Sequence, residues 1–87
     1  MEFNCSFNEN LKISLMEKLF EKKELPEFPY DIDKITYLDG VKMYFKDGGW
    51  ISARFSGTEP LIRIFCEMDT MEKSQNAIYL FRRFLGI

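Results

Sequence analysis

Two turn signals separate short segments of alternating apolar and polar residues, and this punctuation constrains the fold more than any other feature of the chain. Asp39-Gly40 suits the positive φ angles of a tight hairpin, and Asp47-Gly48-Gly49 supplies a second reversal. Residues 41–46, which lie between the two turns, alternate as expected for a half-buried strand. The pattern therefore predicts consecutive antiparallel strands joined by short turns.

The same period-two pattern predicts a sheet of four strands. Two strands flank Asp39-Gly40, the third runs from Trp50 to Phe55, and the fourth runs from Leu61 to Met68. We assign no strand to residues 1–31, which are interpreted as an N-terminal helix and a linker. Residues 32–87 are assigned to the sheet, the connecting loops and a C-terminal helix.

Helical spacing of apolar residues predicts one helix from Asn8 to about Lys23 and a second helix after Thr70. We expect Thr70 to be the N-cap of the second helix and Gly86 to be its exit. The first helix has an apolar face made of Leu11, Leu15, Met16, Leu19 and Phe20. Amphipathic helices bury such faces against a neighbouring layer. We therefore predict a single α+β domain over residues 1–87, a four-stranded antiparallel sheet with helices packed on one face.

Composition excludes several classes of function. The chain has 87 residues and a formal net charge of -2, which disfavours a nucleic-acid or anionic-membrane partner. It has no His, so the commonest general base is absent. Cys5 and Cys66 are too few for a disulfide framework or a metal site, and are interpreted as a surface thiol and a buried strand thiol. No secretory signal or membrane-spanning run is recognisable, so a cytoplasmic location is expected.

The segment Arg54–Pro60 carries the chemistry. Gly57 could adopt an unusual φ and so turn the backbone N–H groups of Ser56, Gly57 and Thr58 into one concavity. Arg54 adds a planar charged fork that matches two phosphate oxygens. On the residues alone the signal is weak, because Ser, Gly and Thr populate hairpin connections for conformational reasons.

A resemblance gives this segment more weight. Residues 54–60, continued by Leu61-Ile62-Arg63-Ile64 and Glu67, resemble the C-terminal signature of the α-D-phosphohexomutases, the family of phosphoglucomutase, phosphomannomutase and phosphoglucosamine mutase. Asp39-Gly40-Val41-Lys42 and Gly49-Trp50 stand where the last domain of that family has similar elements. The resemblance covers most of the chain after the linker.

The resemblance implies a TATA-binding-protein-like fold that holds the phosphate already present on the sugar. Carried onto this sequence, the phosphate contacts would be Arg54, Ser56, Gly57 and Thr58. Arg63 is a weaker candidate, because its strand position fits a residue that only lines the cleft. The implied partners are a hexose phosphate and the remaining three domains of the parent enzyme, which interconverts hexose 1- and 6-phosphates.

The catalytic machinery of that family lies elsewhere. Its phosphorylated serine and its magnesium loop belong to the earlier domains, so no catalytic residue and no cofactor is expected in this chain, and the isolated chain is not expected to be an enzyme. Met1 favours a domain expressed alone, with a natural short gene as the alternative. Two other functions stay open: a stand-alone phospho-ligand-binding or regulatory module, and an interaction domain that uses Tyr44, Trp50 and Phe65 on the sheet face.

Overall fold

Five antiparallel strands and two helices form the protein, for which the computed structural model describes residues 1–87. In chain order the elements are β1 (Glu2–Ser6), α1 (Glu9–Met16), β2 (Ile32–Thr36), β3 (Val41–Phe45), β4 (Trp50–Phe55), β5 (Leu61–Glu67) and α2 (Met71–Leu85). The strand order across the sheet is β1-β5-β4-β3-β2. The predicted α+β class is confirmed, whereas the predicted count of four strands is wrong.

The strand that the sequence analysis missed is β1. It pairs antiparallel with β5, so that Glu2 lies opposite Phe65 and Ser6 opposite Leu61. Phe3 is half-buried and packs against the core. The assignment of residues 1–31 to a helix and linker alone is therefore wrong, because a strand this short is stabilised by a partner far along the chain and leaves little local signal.

The first helix begins as predicted and then widens. The Asn8 side chain accepts a hydrogen bond from the Leu11 N–H at 2.9 Å, which caps α1. After Met16 the chain continues as one π-helical turn, Glu17–Glu21, in which the Lys22 N–H donates to the Glu17 carbonyl at 2.8 Å. Of the five residues predicted to form the buried apolar face, Met16 was assigned wrongly, because its side chain is exposed.

One face of the sheet and both helices enclose a single core. Its fourteen buried apolar residues are Leu15, Leu19, Val41, Met43, Phe45, Ile51, Ala53, Ile62, Ile64, Cys66, Ala77, Ile78, Phe81 and Leu85. Full burial of a large apolar side chain contributes roughly 1.5–3 kcal/mol relative to exposure, so this cluster supplies most of the stabilisation. The prediction that the helices pack on one face is confirmed. The opposite face of the sheet is left open and carries charged side chains together with Tyr44, Trp50 and Phe65.

The predicted boundaries of α2 are also confirmed. The Thr70 hydroxyl accepts from the Lys73 N–H at 3.1 Å, and Gly86 closes the helix in the left-handed conformation at φ 77°. The predicted hairpin residue Gly40 has a φ of 75°. Neither helix is long and apolar enough to cross a membrane.

Candidate functional site

Three chain segments meet at one end of the sheet. The loop 56–60 joins β4 to β5, and the turn 37–40 joins β2 to β3. The start of α1 reaches the same end, because the Phe7 N–H donates to the Pro60 carbonyl at 2.9 Å. Antiparallel pairing of β3 with β4 brings the turn and the loop together, since the residue that follows the turn, Val41, lies opposite Ala53.

The loop is anchored on its core side by an aromatic cluster. The Phe55 ring lies 5.5 Å from that of Phe7 and 5.9 Å from that of Phe20, between ring centroids. Such tilted and edge-to-face pairs stabilise beyond simple burial, by roughly 0.5–1.5 kcal/mol each. Phe55 therefore fixes the point from which the loop departs, and Arg54 beside it projects to the open face.

Two arginines face each other across neighbouring strands. In the register of β4 with β5, Arg54 lies opposite Arg63. Both side chains stand on the open face of the sheet, where they are 48% and 30% exposed. Like charges directly opposite one another are destabilising. The register therefore brings two arginines to the end of the sheet that carries the loop.

Each arginine has its own carboxylate partner. Asp39 Oδ2 in the β2–β3 turn accepts from Arg54 Nη1 at 3.0 Å, and Glu2 Oε2 in β1 lies 3.5 Å from Arg63 Nη1. Sequence reasoning missed both partners, since Asp39 was assigned only a turn role and the strand that carries Glu2 was not recognised. Exposed pairs of this kind contribute about 0–1 kcal/mol to stability.

The loop itself is held by Ser56. Its backbone N–H donates to the Leu61 carbonyl at 3.0 Å, and its Oγ accepts from the N–H groups of Thr58 at 3.4 Å and Glu59 at 3.2 Å. Of the three amides expected in the concavity, two are thus engaged within the loop. Of these three amides, only the Gly57 N–H makes no hydrogen bond within the chain. The expected three-amide cradle is not formed in this conformation.

Gly57 differs from the expectation in its backbone as well. The glycines with positive φ are Gly40, Gly48, Gly49 and Gly86, and Gly57 is not among them. A Cβ built on Gly57 would meet no atom within 4 Å. Gly57 therefore has open space on the side where a Cβ would lie, and the prediction of an unusual φ at this position is wrong.

All five predicted site residues line one open cleft of about 520 Å³. Its lining residues are Glu2, Asp39, Arg54, Phe55, Ser56, Gly57, Thr58, Arg63 and Phe65. The structure thus brings Arg63 to the same surface as the loop residues. Two guanidinium groups, a free amide and two hydroxyl groups surround a space large enough for a phosphate and part of a sugar.

The two cysteines and the acidic residues form no cluster suited to a metal ion. Burial raises the pKa of the Cys66 thiol. A hydrogen bond with Ser74 and, separately, the positive charge of the Met1 amino group lower it to a smaller extent. Cys66 lies on the core face of β5, away from the cleft, whereas Cys5 is half-buried. No three His, Cys, Asp or Glu side chains are grouped so that they could hold a metal ion. The residues present therefore do not fit the magnesium site of a phosphohexomutase.

Comparison with known proteins gives the family. Residues 2–77 match the family model described as phosphoglucomutase/phosphomannomutase, C-terminal domain. The chain belongs to this family. The phosphohexomutase resemblance recognised in the loop is thus confirmed over nearly the whole chain, including the segment that forms β1 and α1.

Several archaeal proteins are similar to this phosphohexomutase C-terminal domain. A probable phosphoglucosamine mutase of Methanosphaera stadtmanae is 38% identical over 78 residues, which are 90% of this chain and 17% of that protein. A phosphoglucomutase/phosphomannomutase of Thermococcus kodakarensis is 49% identical over 47 residues, 54% of this chain and 10% of that protein. A phosphoglucosamine/phosphogalactosamine mutase of Sulfurisphaera tokodaii is 38% identical over 69 residues, 79% of this chain and 15% of that protein. The chain thus spans less than a fifth of these curated relatives.

Proposed function

We propose that this domain binds the phosphate group of a hexose phosphate within a phosphohexomutase that interconverts hexose 1- and 6-phosphates. The observation that carries the proposal is the direct opposition of Arg54 and Arg63 beside the loop. Two like charges on facing positions of a sheet are unfavourable, and although Asp39 and Glu2 offset part of this cost, an anion that contacts both arginines would offset more of it. Family membership and the names of the relatives, which are mutases of phosphorylated sugars, support the same ligand class.

The donors of the cleft suit a phosphate dianion. Arg54 uses one N–H for Asp39, and the rest of its guanidinium fork is left for phosphate oxygens. The free N–H of Gly57 and the hydroxyl of Thr58 add neutral donors. Hydrogen bonds to charged groups contribute roughly 1.5–3 kcal/mol each, but loop ordering and lost translational freedom oppose them. We expect an affinity near the millimolar range, about -4 kcal/mol, for the domain alone.

Binding of this kind orients a substrate without reacting with it. A phosphate held away from the reacting centre fixes the sugar and helps exclude water when a cleft closes. The chain has no His and no metal cluster, and we place the phosphoserine and the magnesium ion in other domains of a cytoplasmic parent enzyme. We expect no mutase turnover from the isolated chain. A TATA-binding-protein-like fold is part of the same proposal.

Titration of inorganic phosphate into the ¹⁵N-labelled chain tests the proposal. The amide resonances of Gly57 and Thr58 should move first, because the Gly57 N–H is the free donor and both residues line the cleft. Arg54→Ala should abolish these shifts, whereas Arg83→Ala, which removes an exposed arginine of α2, should preserve them. Arg54→Lys should bind more weakly than the wild type because it keeps the charge and loses the fork.

Two results would contradict the proposal. The first is a set of shifts in the Arg54→Ala protein that equals that of the wild type. The second is a set of wild-type shifts that clusters at Lys42 and Lys46, away from the loop. Either result would place the phosphate outside the cleft.

A further inference from the structure

The β2–β3 turn lies directly on the arginine of the phosphate loop. Asp39 in this turn holds Arg54 through a single hydrogen bond of 3.0 Å, from Nη1 to Oδ2. The two residues are fifteen positions apart in the chain, so the contact depends on how the turn is placed against β4. Nothing in the predicted or proposed role of the loop accounts for this contact.

The placement of the turn depends on Gly40. Its φ is 75°, and a Cβ on Gly40 would lie 2.3 Å from the Ala53 carbonyl oxygen and 2.7 Å from Arg54 Cβ. Any larger residue would therefore push the turn off β4. The absence of a side chain at Gly40 allows the turn backbone to approach β4 closely enough for Asp39 to reach Arg54.

The contact limits the freedom of Arg54 without using up its donors. The side chain of Arg54 is 48% exposed, so in the absence of a partner it would sample many rotamers. Asp39 engages Nη1 alone, and the other N–H groups of the fork stay unpaired within the chain. The carboxylate of Asp39 is 79% exposed, so water and salt screen its repulsion of an incoming phosphate.

We propose that Asp39 is a positioning residue that orients the Arg54 guanidinium for phosphate, with Gly40 setting the distance. This inference rests on the proposed function of the loop. Pre-orientation lowers the entropy lost when phosphate binds, which outweighs the screened repulsion between the two anions. Asp39 therefore strengthens phosphate binding although it carries the same sign of charge as the ligand.

The test compares Asp39→Asn with Asp47→Asn. Asp47 lies in the β3–β4 turn at the opposite end of the sheet, so its replacement removes the same charge from a similar turn without touching Arg54. Two quantities are measured in the whole chain. The first is the NMR order parameter of the Arg54 Nε–H vector, from ¹⁵N relaxation without phosphate, and the second is the dissociation constant for inorganic phosphate. Asp39→Asn should lower the order parameter of Arg54 Nε–H and raise the dissociation constant for phosphate about two- to fivefold, whereas Asp47→Asn should leave both values unchanged.

The outcomes separate this inference from the proposed function. The positioning role would be overturned if Asp39→Asn bound phosphate as tightly as the wild type or more tightly. An order parameter of Arg54 Nε–H equal to that of the wild type would also overturn it. If no protein binds phosphate, the wild type included, the proposed function fails. The relaxation measurement would then still decide whether Asp39 orients Arg54.

Discussion

Arg54 on β4 and Arg63 on β5 lie opposite each other in the sheet, and each forms an ion pair with a carboxylate from a different element. Asp39 and Glu2 partly neutralise the two guanidinium groups, but neither links one arginine to the other. Each carboxylate leaves other N–H groups of its arginine free, so an anion bound in the cleft can accept hydrogen bonds from both arginines.

Replacement of Arg63 by Gln should change stability little without phosphate and should reduce the stabilisation that phosphate provides. Without phosphate, the free energy of unfolding should change by less than about 0.5 kcal/mol, because the exposed pair with Glu2 contributes little. With about 20 mM phosphate and a dissociation constant of about 1 mM, the wild type should gain about 1.8 kcal/mol. Arg63→Gln should lose at least half of that gain, as measured by urea unfolding.

The control for this change is Arg83→Gln, which removes an exposed arginine from α2 and should keep the full gain. Sodium chloride at the same ionic strength should not reproduce the effect of phosphate. A loss well above 1 kcal/mol in Arg63→Gln without phosphate would contradict the account of the arginine pair.

Gly40 and Gly48 allow a matched comparison of the effect of alanine on the free energy of unfolding, because both have a positive φ. Gly48→Ala should cost about 1–2 kcal/mol, because the residue has a φ of 93° and no atom within 4 Å of a built Cβ. Gly40→Ala should cost more by about 1–3 kcal/mol, since its Cβ would also collide with the backbone of Ala53. Equal losses in urea unfolding would mean that the β2–β3 turn does not lie against β4 as described.

The N-cap of α2 should contribute measurably to stability. Thr70→Ala removes the acceptor for the Lys73 N–H and should lower the free energy of unfolding by about 1 kcal/mol. Thr58→Ala makes the same chemical change in the exposed loop, where the hydroxyl accepts no hydrogen bond from the chain, and should cost less than about 0.5 kcal/mol. Chemical denaturation of both variants gives the comparison, and a larger loss in Thr58→Ala would refute it.

Cys66 should make stability depend on alkaline pH. Burial raises the pKa of its thiol above the ordinary value of 9.0, so the folded state keeps a proton that the unfolded state releases. The contribution of Cys66 is fully present below pH 9.0 and is lost as the pH rises through the folded pKa. The free energy of unfolding of the wild type should therefore fall more steeply above this pH than that of Cys66→Ala. Parallel pH profiles would rule out the effect.

The sequence predicted the elements whose signals are local. Asp39-Gly40 fixed one hairpin, and Thr70 and Gly86 fixed the ends of α2, because each of these residues acts on neighbours within a few positions. By contrast, β1 pairs with β5, and only the alternation of Phe3 and Cys5 marked it as a strand. The π-helical turn was also missed, since Leu15 and Leu19 fit an α-helix equally well.

For the candidate site, the residue types were readable and the geometry was not. The donor set in the loop could be recognised from its composition, and all five predicted residues line one cleft. The role of Ser56 as an acceptor for two loop amides depends on backbone angles that residue types do not specify. The carboxylate partners come from distant parts of the chain, so only the strand register reveals them.

The pairing of the first strand with the fifth sets an order of events during synthesis. A ribosome releases the chain from its N-terminus at about 5–20 residues per second. Within this domain, residues 2–6 emerge before their partner, residues 61–67, which follows only after most of the domain. Until then β1 is an unpaired strand, open to wrong pairing with a neighbouring nascent chain. A chain that terminates before Leu61 would lack both the β1–β5 and the β4–β5 pairings, so a single early stop would leave β1 unpaired and β4 paired with β3 alone.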